Sequence, residues 1–348
     1  MGLIKVLGKR PAGDRLKRAE RSANFAGGRF RNRVPTDVMV KGMSFFRMMR
    51  EYRNRPEDTT PANALPSVRT DLGALPDEGL WLVWFGHSSY LLKWEGLTIL
   101  VDPVFSGHAA PVSFMAKAFP GSDVYGVAEM PPVDILLITH DHYDHLDYRT
   151  VMALQPKVGR YITSLGVGAH LEYWGVSPDK IVELDWWEGV TVPGGGPERE
   201  ALTFTAAPAR HFSGRGFRRG GTLWSSFAVN GSGHSVYLGG DSGYERHFLE
   251  IGDRFGPVDL AILECGQYGK NWPLIHMKPE ETVRAAAELR AAALLPVHWG
   301  KFTLSLHPWN EPVKRVLAAA KEFALPVMTP MIGEVVRVGA EFHSAVWW

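Results

Sequence analysis

The sequence predicts an α/β protein whose functional residues lie along one edge of a sheet. Three apolar runs each end in a polar side chain: residues 135–138 lead to His140, residues 235–238 lead to Asp241, and residues 293–297 lead to His298. Helical patterns lie between these runs. In such an alternation the carboxyl ends of the strands meet at one sheet edge, so we expect these side chains to lie close together.

The main body begins near Leu80 with short strand patterns. Strands are predicted at 81–85, 90–94 and 97–101, where apolar residues cluster around a Glu95-Gly96 turn. Helices are predicted at 148–155, 165–174, 279–290 and 312–323. We therefore assign residues 80–348 to one domain.

Residues 1–36 are predicted to form a basic arm. Residues 1–35 hold ten Lys or Arg against Asp14 and Glu20, so the rest of the chain carries a net charge of −7 within a total of +1. Such an arm suits an anionic membrane surface or an acidic partner. The alternative is a solvated, partly ordered extension.

Residues 37–79 are predicted to hold an amphipathic helix, within 38–52, and a connection rich in Pro, Asn and Asp. Large apolar residues recur near helical spacing among basic ones in this helix, and they are Met43, Phe45, Phe46 and Met49. The stripe would either dip into a membrane interface or pack on the protein's own core.

The composition excludes several classes of protein. A net charge of +1 gives no basis for nucleic-acid binding. The single cysteine, Cys265, rules out an internal disulfide and fits a reducing compartment. No stretch approaches about 18 uninterrupted apolar residues, and the apolar patch at the start is too short for a signal peptide. We expect a cytoplasmic protein, with peripheral attachment to the inner membrane face as an option.

The segment His140-Asp141-His142-Tyr143-Asp144-His145 carries the chemistry. A tight loop after a strand can turn alternate side chains towards one metal and the next pair towards a second metal about 3.5–4 Å away. Imidazoles with a carboxylate suit zinc, with iron or manganese as alternatives. The competing interpretation is a surface loop that binds metal adventitiously, which a position after a buried strand disfavours. Four residues cannot complete two sites, and the further candidates at breaks in apolar runs are His211, Asp241 and His298.

These residues and their neighbours resemble the metallo-β-lactamase superfamily, in the branch related to N-acylphosphatidylethanolamine-hydrolysing phospholipase D. The match spans roughly residues 80–340 in the family's order. The segments that carry it are His87–Leu92, Asp102–Ser106, Thr139–Asp147, Ala207–His211, Gly240–Tyr244, Val297–Gly300 and Thr329–Glu334.

The resemblance implies a four-layer αββα sandwich with the metal site at one edge of its sheets. It implies two zinc ions per chain, one held by His140, His142 and His211. The other would be held by Asp144, His145 and His298, with Asp241 bridging both. Asp144 and Asp241 would act in catalysis, and Tyr143 and His276 would contact the phosphate of the substrate. His87 is no ligand in this pattern and would be a supporting residue.

A Gly-rich loop after His211 contains Arg215, Arg218 and Arg219. Guanidinium groups pair bidentately with phosphate, so Arg215 is a candidate contact for an anionic substrate. The alternative is that these arginines are solvated.

We expect a phosphodiesterase of phospholipase D type that acts on N-acylphosphatidylethanolamine-like lipids through a hydroxide bridging the two metals. The alternatives are a lactonase or other ester hydrolase, a membrane-associated metal-binding scaffold, and a di-iron redox protein. An intact ligand set argues against the scaffold. The imidazole of His142 argues against the di-iron redox protein, because such proteins tend to use a carboxylate at this ligand position. The expected partner is a phospholipid or other phosphodiester, and a homodimer is left open.

Overall fold

A computed structural model describes residues 3–216, 218–342 and 345–348, with the backbone alone described for Leu3, Ile4 and Phe45. Two mixed sheets make up the centre of the chain. The first has the strand order β13-β1-β2-β3-β4-β5-β6. Its strands are β1 (Leu80–Trp84), β2 (Tyr90–Trp94), β3 (Leu97–Val101), β4 (Val133–Ile138), β5 (Val158–Ser164), β6 (Ile181–Leu184) and β13 (Val335–Arg337).

The second sheet has the order β12-β11-β10-β9-β8-β7. Its strands are β7 (Gly189–Val192), β8 (Leu202–Ala207), β9 (Ser226–Gly231), β10 (His234–Leu238), β11 (Leu260–Glu264) and β12 (Leu294–Val297). The described helices are α1 (Leu3–Leu7), α2 (Gly13–Arg21), α3 (Phe45–Arg53), α4 (Tyr148–Leu154), α5 (Gly168–Tyr173), α6 (His247–Phe255), α7 (Pro279–Glu288) and α8 (Glu311–Ala320).

The sheets stack face to face, and helices cover both outer faces. Strand β4 shows why, because its apolar side chains alternate between two cores. Ile135 and Leu137 pack between the sheets, in the core that also holds residues of α6, α7 and α8. Leu136 and Ile138 pack outwards against α4 and α5. This layering confirms the αββα sandwich.

The predicted strands and helices of the main body are confirmed to within a few residues. The three strands of the meander pair in order, with Leu80 opposite Trp94 and Tyr90 opposite Val101. Glu95 and Gly96 both have positive φ in the turn between β2 and β3. All four predicted helices are present, as α4, α5, α7 and α8.

The structure adds detail to two expectations for the first 79 residues. The amphipathic helix begins later than 38, because the side chain of Ser44 accepts a hydrogen bond from the backbone N–H of Arg47 and caps the helix there. The basic arm packs in part on the body of the protein. It contains α1 and α2, and Ala19 and Phe30 are buried against the body.

Candidate metal centre

Polar side chains that follow seven strands meet at one edge of the sandwich. Within the first sheet β1, β3 and β4 run in the same direction, and within the second sheet β8, β10, β11 and β12 do. The side chains at or just after these strand ends are His87, Asp102, His140, His211, Asp241, Glu264 and His298. Their placement confirms the expectation that chemistry-bearing residues collect at the carboxyl ends of the strands.

The first group of candidate ligands consists of His140, His142, His211 and Asp241, whose ligand atoms lie within 4.8 Å of one another. The Nε2 atom of His140 lies 2.9 Å from Nδ1 of His142, and the Nε2 atom of His211 lies 3.1 Å from the same atom. The Oδ2 atom of Asp241 is 3.8 Å and 3.7 Å from the two Nε2 atoms.

These distances fit a bound cation. The Nδ1 atom of His211 donates to the carbonyl oxygen of Ile275 at 2.8 Å, so its Nε2 atom carries a lone pair. His140 is fixed in the same way, because its Nδ1 atom lies 3.0 Å from Oγ1 of Thr139. Ring nitrogens that each bind one zinc at about 2.0–2.1 Å are roughly 3.3 Å apart in tetrahedral geometry. A metal ion would therefore accept the lone pairs of all three nitrogens, whereas Nδ1 of His142 alone could donate a hydrogen bond to only one of the two Nε2 atoms.

The second group consists of His87, Asp144, His145 and His298, again with ligand atoms within 4.8 Å of one another. The Nε2 atom of His145 lies 3.5 Å from Oδ2 of Asp144, and Nε2 of His298 lies 3.9 Å from the same oxygen. Among the described residues, neither of these Nε2 atoms has a hydrogen-bond partner, although both are buried. Buried polar atoms are normally paired, so this group also has the features of a metal site.

Asp241 lies between the two groups. Its Oδ2 atom is 3.2 Å from Nε2 of His145, and its Oδ1 atom is 3.2 Å from Nδ1 of His298. With the contacts to the first group, one carboxylate faces imidazoles of both. This position fits the bridging role that the sequence resemblance implied.

Hydrogen bonds from a surrounding layer orient the imidazoles. The Nδ1 atom of His145 donates to Oδ2 of Asp102 at 2.8 Å, and Nδ1 of His298 lies 2.9 Å from Oγ of Ser88. Asp102 is itself held by the backbone N–H and the hydroxyl of Thr139. Such outer partners fix the tautomer and the direction of the ring, and they leave the other nitrogen for the metal.

The centre is rich in negative charge. Burial raises the pKa of Asp241, but His145 and His298 outweigh burial and hold this pKa well below its usual value. Burial also raises the pKa of Asp144, and His145 again outweighs it. Burial lowers the pKa of His145, whereas Asp241 and Asp144 raise it well above its usual value. Charged carboxylates buried among imidazoles create a site that a divalent cation would neutralise.

His276 lies at the centre as predicted, and Glu264 beside it was missed by the sequence analysis. The Nδ1 atom of His276 is 2.7 Å from Oε2 of Glu264, and the other oxygen of Glu264 accepts from the backbone N–H of Ser242. Both residues cluster with Asp241 and His298. Burial raises the pKa of Glu264 to about 7. Its position could have indicated a role, because Glu264 ends the apolar run of strand β11 just as other candidate ligands follow other apolar runs.

Tyr143 is half-buried beside Arg215. Its hydroxyl donates to the carbonyl oxygen of Arg215 at 2.6 Å, and the guanidinium of Arg215 lies 4.1 Å from its ring centroid. A contact between Tyr143 and substrate stays a prediction.

The expectation that Arg215 contacts an anionic substrate is not supported. Arg215 is 4% exposed, and its guanidinium donates to the carbonyl oxygens of Asp141, Leu146 and Val6. It therefore ties its own loop to two other segments, the one that carries the metal motif and the N-terminal one that contains Val6. The sequence could not show this, because the acceptors are main-chain atoms of distant segments.

A cavity of about 530 Å³ lies between α3 and the segments 268–272 and 305–307. Trp272 and Leu306 contribute apolar walls, and Arg50 lines it from α3. Gln267 contacts both this cavity and the centre. Its backbone N–H donates to the cavity residue His307, and its buried side-chain amide donates to the carbonyl oxygen of His298.

The sandwich and its clustered imidazoles and carboxylates define a metal-dependent hydrolase. Residues 98–299 match the model of the beta-lactamase superfamily domain, and the chain belongs to that superfamily. The solved structure of Igni18, a metallo hydrolase from the archaeon Ignicoccus hospitalis, is similar in fold, with a TM-score of 0.57 and 18% identity over 75% of this chain and 99% of that one.

Three relatives are similar in sequence. An uncharacterised protein of Mycobacterium tuberculosis is 40% identical over 95% of this chain and 88% of its own. N-acyl-phosphatidylethanolamine-hydrolyzing phospholipase D 1 of Caenorhabditis elegans is 30% identical over 66% of each chain. The mitochondrial N-acyl-phosphatidylethanolamine-hydrolyzing phospholipase D of Saccharomyces cerevisiae is 33% identical over 67% of this chain and 50% of its own.

Proposed function

We propose that this protein is a zinc-dependent phosphodiesterase of phospholipase D type that acts on N-acylphosphatidylethanolamine-like lipids. The observation that carries the proposal is that the two groups of candidate ligands lie side by side, with Asp241 of the first group facing the second. The hydrogen-bonded pair of His276 and Glu264 lies next to Asp241. Two phospholipase D relatives, 30% and 33% identical over about two thirds of this chain, support the choice of activity. Fold alone would not distinguish this activity from ester hydrolysis.

The donor set favours zinc. Imidazole nitrogens and carboxylate oxygens, without a thiolate, form the mixed set that catalytic zinc sites use. His140, His142 and His211 would hold one ion, and Asp144, His145 and His298 the other, with Asp241 shared. When bound, two such ions would acidify a water and polarise a phosphoryl oxygen.

The chain's own residues would then position the substrate and help a proton pass from the attacking water to the leaving oxygen. Attack by water forms one P–O bond, and the bond to the ethanolamine oxygen breaks, giving phosphatidic acid and an N-acylethanolamine. The leaving oxygen needs a proton. His276 faces the centre with its Nδ1 atom fixed by Glu264, so its Nε2 atom is placed to hydrogen-bond the phosphate or the leaving oxygen. Asp144 and Asp241 provide the carboxylates that hold the attacking water.

A substrate panel tests the activity. N-acylphosphatidylethanolamine, phosphatidylcholine, a soluble bis-aryl phosphodiester and an acyl lactone would be incubated with zinc-loaded protein. We expect phosphatidic acid from the first lipid and loss of turnover when the metal is chelated. Turnover of the lactone without any phosphodiester cleavage would replace this proposal with the lactonase alternative.

Peripheral membrane contact is part of the proposal, because the substrate is a lipid. In the part of the chain that the structure describes, no helix combines the length and apolar character needed to cross a bilayer. Helix α3 presents Met49 at 49% exposure beside exposed arginines, and the loop before β4 presents Phe114 at 75% and Met115 at 50%. Basic side chains next to exposed apolar ones suit an anionic bilayer surface.

Vesicle sedimentation tests this contact. The double variant Phe114→Ser, Met115→Ser should bind vesicles of phosphatidylcholine and phosphatidylglycerol about tenfold more weakly than the wild type, because the apolar area that enters the interface is lost. Phe323→Ser is the matched control, since Phe323 is 48% exposed after α8. Equal binding by all three proteins would remove this surface from the proposal.

A further inference from the structure

The N-terminal segment, residues 3–36, is held on the acidic body by ion pairs. Arg15 lies 2.8 Å from Glu172 and 2.6 Å from Glu183, and Arg18 lies 2.6 Å from Glu188. Part of the positive charge of this segment is thus matched by carboxylates of the same chain. These contacts hold the segment on α5, on β6 and on the residues that follow β6.

Asn32 makes the most direct contact with the centre. Its side-chain amide donates to the carbonyl oxygen of His211 at 2.7 Å, and its side-chain oxygen accepts from the backbone N–H of His211 at 3.1 Å. A single side chain therefore pairs with both backbone groups of a candidate ligand. Because two hydrogen bonds fix a peptide in position and orientation, Asn32 limits how far the His211 imidazole can move.

A second contact reaches the segment between His140 and His142. The backbone N–H of Lys9 donates to Nδ1 of His170 at 3.0 Å, which leaves the proton on Nε2. That nitrogen lies 3.2 Å from Oδ2 of Asp141 and donates to it. Asp141 is buried, and it also accepts from the backbone N–H of Gly214 and the hydroxyl of Thr222.

A third contact involves the carbonyl oxygen of Val6. It accepts from Nε and Nη2 of Arg215, at 3.2 and 2.8 Å. The remaining arm of the same guanidinium donates to the carbonyl oxygen of Asp141, inside the metal motif, and to that of Leu146, directly after it. The carbonyl oxygen of Val6 therefore accepts hydrogen bonds from the buried guanidinium of Arg215. Without it, Nε and Nη2 of this guanidinium would lack an acceptor.

We propose that residues 3–36 act as a strap that positions the metal-ligand loops and thereby slows the loss of metal. Three independent contacts, from Val6, Lys9 and Asn32, converge on the two loops that carry His140, His142 and His211. The role is one of positioning, since none of the three residues points a side chain at the metal groups. It concerns retention of the metal and holds for any substrate of the centre.

Metal release from the full-length protein tests the strap. Zinc-loaded protein would be mixed with a chromophoric chelator, and the rate of zinc transfer would be followed by absorbance. We expect Asn32→Ala to release zinc about 10- to 100-fold faster than the wild type, the range seen when residues that orient metal ligands are removed.

Asn24→Ala is the matched control. Asn24 belongs to the same segment, and its amide donates to Asp185 at 2.9 Å, away from the ligand loops. It should release zinc within about twofold of the wild-type rate, while both variants lose comparable thermal stability in the metal-free form. Equal release from Asn32→Ala and Asn24→Ala would overturn the proposal, because general loosening of the segment would then explain the effect.

Gly8→Ala provides a second variant that acts through the other loop. Gly8 has a φ of +72°, and a Cβ atom there would lie 2.1 Å from Nδ1 of His170. The substitution should push the segment off His170 and accelerate zinc release, even if Asn32→Ala fails to fold. Wild-type release from a folded Gly8→Ala protein would contradict a positioning role for the Lys9 contact.

Discussion

The carboxylate of Asp241 faces imidazoles of both candidate ligand groups, at 3.2 Å from His145 and 3.2 Å from His298. Replacing Asp241 by Asn keeps the shape of the side chain and removes its charge. We expect kcat to fall at least about 100-fold, because a neutral amide would bridge two cations poorly. Kinetics on a soluble phosphodiester, with metal content measured on the same sample, would show the loss. Wild-type turnover with two metals would exclude a bridging role.

Glu264 orients His276 because its Oε2 atom accepts a hydrogen bond from Nδ1 of His276, at 2.7 Å. Glu264→Gln should retain both metals but lower kcat/KM about 10- to 100-fold, because an amide can present its NH₂ group to the imidazole and turn the ring. The pH profile should change shape as well, which a purely structural loss would not cause.

Glu245→Gln is the control for this substitution. Glu245 is also hydrogen-bonded to a histidine, His247, but outside the metal groups. If both variants lose the same activity with unchanged pH profiles, Glu264 has a structural role alone.

Much of the candidate site could be predicted from sequence, for a physical reason. His140, His211, Asp241 and His298 each follow an apolar run, so their convergence followed from strand topology. The groups that orient these four residues were harder to predict from the sequence. Ile275 and Val6 act through carbonyl oxygens, which any residue type supplies, so no side-chain pattern marks them.

At the scale of elements, the loop after β10 must pack closely against the loop that leads to His276. A Cβ atom on Gly243 would lie 1.9 Å from the carbonyl oxygen of Leu274. Gly243→Ala should therefore cost about 2–3 kcal/mol of unfolding free energy, since backbone rather than a flexible side chain must move. Denaturant unfolding would measure the cost.

Gly216→Ala serves as the comparison for Gly243→Ala, because a Cβ atom there would enter open space. Its unfolding free energy should stay within about 0.5 kcal/mol of the wild type. An equally small change for Gly243→Ala would show that the two loops can separate without cost.

The elements themselves divide into those that the sequence determines locally and those that depend on tertiary contacts. Strands β1–β3 and helix α7 were predicted closely, because alternation and an N-terminal proline are local signals. Two interpretations, an arm for an anionic surface or acidic partner and a solvated extension, were left open for the basic segment at residues 3–36. Its arginines pair with Glu172, Glu183 and Glu188, more than 150 positions along the chain, and composition cannot reveal such partners.

For the whole molecule, metal removal should weaken the fold as well as stop turnover. The two sheets and the strap meet at a centre where Asp102, Asp144, Asp241 and Glu264 are all buried. A ligand present at about 1,000 times its Kd stabilises the folded state by about 4 kcal/mol. For a chain of this size we expect the melting temperature to fall by roughly 5 °C for each ion that a chelator removes, with zinc restoring it.

The difference between metal-loaded and metal-free protein should also depend on pH with a definite sign. Protons compete with the metal for imidazole nitrogens, so metal affinity falls as the pH drops. Burial lowers the pKa of His145, but Asp241 and Asp144 raise it well above its usual value, so this ring is the first to take up a proton. Burial holds the pKa values of His140, His211 and His298 well below the usual value, so these rings take up protons only at lower pH. The gap in melting temperature should therefore be largest at alkaline pH and should shrink steadily as the pH falls. Differential scanning calorimetry with and without chelator would measure the gap, and chelator saturated with zinc is the control. A gap that widens as the pH falls would mean that the stabilising cation is not bound through these histidines.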